Sequence, residues 1–191
     1  MVKQNTSERI LDVTQELIQS RGYSAISFND IAEKVGIKKP SIMHHYPSKA
    51  ALGVAVVDRY RKTFVSMFDD ILSERKLPAK KILDIYFSLY LNLGENKEKV
   101  CLCGALAGEY RALPETLRDE ITRFFDDSKK WLVTILELGK DAAEFGFDGE
   151  PEVVASLVLD TLQGSLMISR ATSNKGHVKK TIEALKSEFS L

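Results

Sequence analysis

Three helix-stopping signals fall close together near the start of the chain and leave little freedom for what lies between them. Gly22, Gly36 and Pro47 divide the first fifty residues into one helix of ordinary length and two very short ones, because glycine ends a helix readily and proline cannot continue one. Ile10, Val13, Leu17 and Ile18 recur at helical spacing, so the first segment buries one face, with Thr6 or Ser7 as its expected N-cap. In the second, Ser27 is followed at capping-box distance by Asp30, and Phe28, Ile31, Ala32 and Val35 form its apolar stripe. The third, KKPSIMHHYPSK, admits Pro40 only in its first turn and has barely two turns before Pro47. Two short helices joined across a glycine form a helix-turn-helix, whose last helix is the reading helix.

Beyond Pro47 the stop signals are sparse. Ser48 caps an expected connecting helix over 49–75, and further helices are expected over 79–94, 97–111, 115–145, 151–172 and 176–189. With 11 glycines and 5 prolines in 191 residues, this is an all-α protein of nine helices. Its expected domains are a head, 1–48, and a body, 49–191.

The formal net charge is zero, yet it is unevenly spread. Met1 to Lys62 carries ten Lys and Arg against six Asp and Glu, a balance of +4, and the remainder balances at −4. A basic head suits DNA even when the whole chain is neutral. The N-terminus has no apolar leader and the only cysteines are Cys101 and Cys103, so a cytoplasmic protein is expected. No apolar run is expected to reach the roughly 18–20 uninterrupted residues of a membrane span, so no membrane partner is expected.

The block from Ser27 to Leu52, SFNDIAEKVGIKKPSIMHHYPSKAAL, resembles the DNA-binding signature of the TetR family of bacterial regulators. The likeness is carried by Ser27, Ile31-Ala32, Val35-Gly36-Ile37, Lys39-Pro40-Ser41, His44-His45-Tyr46 and Pro47-Ser48-Lys49 before Leu52. It implies a transcriptional repressor, a homodimer on a palindromic operator in double-stranded DNA, with an N-terminal head and a C-terminal body that binds ligand and dimerises. Residue by residue, it places Lys38, Lys39, Pro40, Ser41 and His45 at bases or the sugar-phosphate edge, with Ser27, Tyr46 and Lys49 on or near phosphate and His44 within the same motif. Lys39 suits guanine, whose O6 and N7 accept from an ammonium, and Pro40 suits a thymine methyl. Met43 departs from the pattern: it stands where the family commonly has a tyrosine, and a thioether cannot donate to phosphate.

VCLCGALAGEYRALPETLRDEITRFFDD resembles a subgroup with a Cys-Leu-x-Gly-x-Leu-Ala-x-Glu segment, matched by Cys101, Leu102, Gly104, Leu106, Ala107 and Glu109. Some of that subgroup sense electrophiles or oxidants through the cysteine. On a continuous helix Lys97 would stand one turn before Cys101 and Lys99 one turn before Cys103, favouring thiolate. The opposite reading, two small residues in a core, stands beside it. Tyr86, Tyr90, Tyr110, Phe124 and Trp131, with Cys101, are the candidate lining of an apolar effector pocket; plain core packing is the alternative for each. The effector is expected to be a small apolar or electrophilic molecule. Val154, Leu157, Val158, Leu162 and Leu166 form the stripe expected to dimerise, since one two-turn helix reads few base pairs and a pair about 34 Å apart reads a palindrome.

There is no P-loop, no strand followed by GxGxxG and no HExxH, so neither an enzyme nor a cofactor is expected. His44 and His45, about 100° apart around a helix, do not chelate one ion, and no metal is expected. A repressor switched by oxidation or modification of Cys101, and a constitutive DNA-binding dimer without effector, remain the alternatives.

Overall fold

The computed structural model describes residues 5–73, 77–96 and 99–191. Among them the regular structure is entirely helical. The helices are α1 (Thr6–Arg21), α2 (Phe28–Val35), α3 (Lys39–His45), α4 (Lys49–Ser73), α5 (Ala79–Glu95), α6 (Leu102–Ala107), α7 (Glu115–Asp141), α8 (Pro151–Thr172) and α9 (His177–Glu188), with a 3-10 turn at Tyr110–Ala112 between α6 and α7.

The described residues group into two compact units. One comprises Met1–Thr63 with Leu102–Phe124, the other Phe64–Cys101 with Phe125–Leu191, so the chain passes from one to the other within α4, just before α6 and within α7. In the first unit α1 packs on α2, α3 and α6. Its core is the apolar face of α1 (Ile10, Leu17 and Ile18, each no more than 2% exposed), with Ile31 of α2, Ile42 of α3 and Leu106 of α6. In the second unit α5, α8 and α9 pack on one another. An aromatic cluster fills it further: Trp131 of α7 lies 4.0 Å from Phe68 of α4 and stacks on Tyr86 of α5 at 5.4 Å, centroid to centroid.

Three expectations change. The N-cap of α1 is Asn5, whose side chain accepts from the Ser7 amide at 3.2 Å; Thr6 and Ser7 are already inside the helix. Of the helix expected over 97–111, residues 97 and 98 lie outside the described residues and the rest shrinks to α6 plus the 3-10 turn, with Lys99, Val100 and Cys101 outside helix. Gly104 and Gly108 weaken helix here, and Val100 and Cys101, 5% and 3% exposed, are buried without it. Helix α7 stops at Asp141 because the chain folds back: the Glu144 and Phe145 amides both donate to the Gly139 carbonyl, and the Phe145 ring packs where a Cβ on residue 139 would stand.

A fourth concerns membranes. By length and composition α8 alone among the described residues would span a bilayer, with a mean hydropathy of 1.2 over its most apolar window. Its apolar side chains Val154, Val158, Leu162 and Leu166 are instead within the core of the second unit, none more than 2% exposed, which explains their density without lipid.

Candidate nucleic-acid interface

The α2–α3 pair is built by local rules. Ser27 and Asp30 close a reciprocal capping box: the Ser27 hydroxyl accepts from the Asp30 amide, and the Asp30 carboxylate accepts from the Ser27 amide at 2.7 Å. The Ser27 hydrogen bonds to the Asp30 side chain hold that carboxyl below its ordinary range. At the other end Gly36 adopts φ 77° and ψ 37°, the left-handed region that costs an L side chain about 1 kcal/mol or more. Its amide and that of Ile37 both donate to the Ala32 carbonyl, at 2.9 and 3.0 Å. Arg9 of α1 donates to the Val35 carbonyl at 2.5 Å, satisfying one of the orphan acceptors at the end of α2.

Helix α3 then has one anchor. Ile42 is fully buried, whereas Lys38, Lys39, Pro40, Ser41, Met43, His44 and His45 are all exposed. A short helix held by a single apolar residue thus presents cations, a hydroxyl and imidazoles to solvent. No acidic residue occupies its first turn. Ser27 is exposed near the start of α2. Tyr46, half-buried, shares a hydrogen bond with the Ser7 hydroxyl at 2.7 Å. Lys49 places its ammonium 4.4 Å from the Tyr23 ring centroid; burial there lowers its pKa, against the opposing charge of Glu109. The Met43 thioether, 45% exposed, lies on the α3 surface without a hydrogen to donate.

Sequence reading missed the support beneath this motif. The Glu109 carboxylate accepts from the Tyr23 amide at 2.8 Å and the Ser24 amide at 2.9 Å, so it caps the turn between α1 and α2. Burial pushes its pKa up, but the hydrogen bonds from Ser24 and Tyr23, with the charge of Lys49, outweigh this and leave it below the usual glutamate value. No local pattern announces a contact between residues 86 positions apart.

The candidate effector residues do not form one cluster. Tyr86, Tyr90, Cys101 and Trp131 belong to the second unit and are buried. The Tyr86 and Tyr90 hydroxyls are 3.2 Å apart, and Gln163 donates to the Tyr90 oxygen at 3.0 Å. Tyr110 and Phe124 belong to the first unit: Tyr110 is 42% exposed beneath the Arg118 guanidinium, and Phe124 lies 5.4 Å from Tyr60. Of the six, Trp131 alone borders a groove of about 220 Å³ between α4 and α7, lined also by Phe64, Val65, Asp69 and Lys130. The Trp131 indole nitrogen is buried without a hydrogen-bond partner. Beside this groove a larger one, about 510 Å³, shares Leu72 and Thr134 with it and adds Leu77, Ile82 and Leu138.

Both cysteines are buried and neither forms a disulfide. The helical spacing invoked for their lysines does not hold: Lys99 precedes the start of α6, and Lys97 lies outside the described residues. Of the dimerisation stripe, Val154, Val158, Leu162 and Leu166 pack inside their own protomer, and Leu157 alone is exposed, at 47%. Helix α8 carries a second apolar stripe on its outer face, with Val153, Met167 and Ile168 exposed by 57%, 51% and 51% and Gly164 open to space on the same side.

The chain matches the family profile described as bacterial regulatory proteins, tetR family, over residues 10–56, and that described as the tetracyclin repressor-like C-terminal domain over residues 81–185. It is 27% identical over 188 residues to an uncharacterised HTH-type transcriptional regulator in the lacX 3′ region of Lactococcus lactis subsp. lactis, covering 97% of this chain and 93% of that protein. It is 21% identical over 175 residues to the HTH-type transcriptional repressor DhaR of Mycobacterium sp. (strain GP1), covering 92% and 87%. Among solved structures, a TetR transcriptional regulator from Legionella pneumophila superposes with a TM-score of 0.89 at 31% identity, covering 99% of this chain and 100% of that one.

Proposed function

The chain belongs to the TetR family of bacterial regulatory proteins, transcriptional regulators of the DNA-binding repressor type, and we propose that it works as a cytoplasmic homodimer released from a palindromic operator by a small-molecule effector. The observation that carries the DNA-binding part is α3, which buries Ile42 and exposes the rest of its side chains from Lys39 to His45. Lys38, Lys39, Pro40, Ser41 and His45 meet base edges or the sugar-phosphate edge, and Ser27, His44, Tyr46 and Lys49 lie at the backbone. Lys39 reads guanine, because it is exposed, cationic and at the first position of the reading helix.

Dimerisation uses the outer face of α8. Four residues of the stripe expected from sequence are spent on the protomer core, so the exposed set of Val153, Leu157, Met167 and Ile168 meets its own copy across a two-fold axis. The absence of a Cβ at Gly164 leaves room for close approach there.

The effector is a small apolar molecule that binds the DNA-incompetent arrangement of the dimer more tightly than the competent one, as linkage requires. The groove beside Trp131 supports this reading, since it joins the aromatic and aliphatic walls of Phe64, Val65, Leu72 and Trp131 to the polar groups of Asp69, Asp127, Lys130 and Thr134. Burial of Cys101 and Cys103, at 3% and 0% exposure, disfavours direct oxidation or electrophile modification, because a reactive thiol needs access. A constitutive dimer would leave this groove without a use.

The test is operator affinity by fluorescence anisotropy on DNA from the chain's own upstream region, for wild type and Lys39→Ala. Loss of a guanine contact is expected to weaken specific binding by about 1–3 kcal/mol, roughly five- to 150-fold. Equal affinity for both proteins would remove α3 from base reading.

A further inference from the structure

Glu109 is tied at both ends. Its own backbone belongs to the end of α6: its amide donates to the Leu106 carbonyl at 2.9 Å, and its carbonyl accepts from the Ala112 amide at 2.8 Å. Leu106 is fully buried and α6 packs against α1, so this backbone moves only if α6 moves. Its side chain ends on the turn between α1 and α2, taking the Tyr23 and Ser24 amides, one on each carboxylate oxygen. Hydrogen bonds to an ionised acceptor are about twice as strong as neutral ones, and the paired arrangement adds direction.

The surroundings are shaped around that carboxylate. Gly22 has φ +87°, and a Cβ on it would meet the Glu109 Oε1 atom closely enough to expel it. The adjacent Tyr23 ring is clamped: Lys49, the first residue of α4, lies over one side, and a Cβ on Gly53 would stand 3.0 Å from the ring and 3.1 Å from Leu117. The turn that launches α2 is therefore held by one carboxylate and one wedged ring, and α2 carries α3 through the Gly36 turn.

We infer that Glu109, which lies outside the helix-turn-helix, is a positioning residue for operator binding: its carboxylate holds the α1–α2 turn from which the reading helix is launched. The inference rests on the DNA-binding reading above. It adds that α3 is competent only while the turn is held.

The apparent Kd is the intrinsic Kd divided by the fraction of molecules whose site is competent, so releasing the turn weakens operator binding without touching a DNA contact, by about tenfold if one molecule in ten stays aligned. The experiment uses the full chain, with operator affinity by anisotropy and amide hydrogen exchange on Glu109→Ala, Glu109→Gln, Gly22→Ala and Lys39→Ala. Glu109→Ala and Gly22→Ala are expected to weaken binding about tenfold and to speed exchange at Tyr23 and Ser24, leaving α5, α8 and α9 as protected as in wild type. Glu109→Gln keeps one carbonyl acceptor and falls between. If Glu109→Ala does not fold, the glutamine and Gly22 variants carry the same comparison. Binding within twofold of wild type, with or without faster exchange at the turn, overturns the inference. So does weakened binding that tracks a general loss of protection. Wild-type binding reduced by Lys39→Ala but not by Glu109→Ala overturns this inference alone, whereas a wild type that fails to bind operator overturns it together with the DNA-binding reading.

Discussion

Replacing Leu157 by Glu should split the dimer without unfolding the protomer, and replacing Leu162 by Ala should do the reverse. Both leucines lie on α8, five residues apart, and differ in what covers them: Leu162 is 0% exposed and Leu157 is 47% exposed. Truncating a fully buried leucine removes its transfer energy and leaves a cavity, about 2–5 kcal/mol of folding stability. For Leu157 the protomer loses at most the buried half of one side chain, about 1 kcal/mol. In the dimer the arithmetic changes. Val153, Leu157, Met167 and Ile168 are each about half exposed, so each gains about 1 kcal/mol on association, roughly 8 kcal/mol over both copies. Association itself costs about 4–15 kcal/mol, so these side chains leave little surplus. A glutamate at 157 appears twice by symmetry, removing about 2 kcal/mol of burial and adding two carboxylates whose desolvation costs several kcal/mol each. The expected result by sedimentation velocity at low micromolar concentration is a 21.4 kDa species for Leu157→Glu and a dimer for Leu162→Ala. Melting should show the complement: Leu162→Ala falls several degrees, wild-type Tm rises with concentration by mass action, and Leu157→Glu shows no such rise. A Leu157→Glu protein that stays dimeric refutes the assignment of the outer face of α8.

Two further perturbations probe the units separately. Gly94→Ala in α5 should destabilise, because its Cβ would stand 2.6 Å from a Val178 methyl: overpacking at about 1–3 kcal/mol exceeds the helix propensity gained, about 1 kcal/mol at most, and Val178→Ala should relieve it in a double-mutant cycle read by urea unfolding. Asp30→Asn should lower Tm near neutral pH by removing the capping-box carboxylate; since the folded pKa of Asp30 lies below its ordinary value of 3.8, its contribution is full above that value and fades as pH falls through the folded one, so the Tm gap to wild type should close in acid, and a gap independent of pH would contradict the cap.

What was legible in the sequence was what short-range chemistry decides. Ser27 with Asp30, Gly36, Pro40 and Ser48 each announce a local backbone solution, and the α2–α3 motif follows from them. The α1 cap lies one or two residues before the expected one because Asn5, Thr6 and Ser7 all suit that position. The dimer stripe shows a deeper limit. α8 is apolar on two faces, and periodicity reports that a face is apolar without saying whether its cover comes from the same chain or another. The candidate effector residues meet the same limit: aromatic identity is local, whereas membership of one unit or the other depends on α7 passing through both. Glu109 illustrates the limit, since its partners are set by tertiary closure alone.

The aromatic cluster has an optical consequence. Trp131 is the single tryptophan, buried in the second unit against Phe68 and Tyr86, whereas Tyr23, Tyr46, Tyr60 and Tyr110, four of the six tyrosines, belong to the first. Indole emission therefore reports one unit, and tyrosine signals are weighted toward the other. Coincident transitions by the two signals are the mark of all-or-none unfolding, so an unlabelled sample carries within it the means to see whether the two units melt as one.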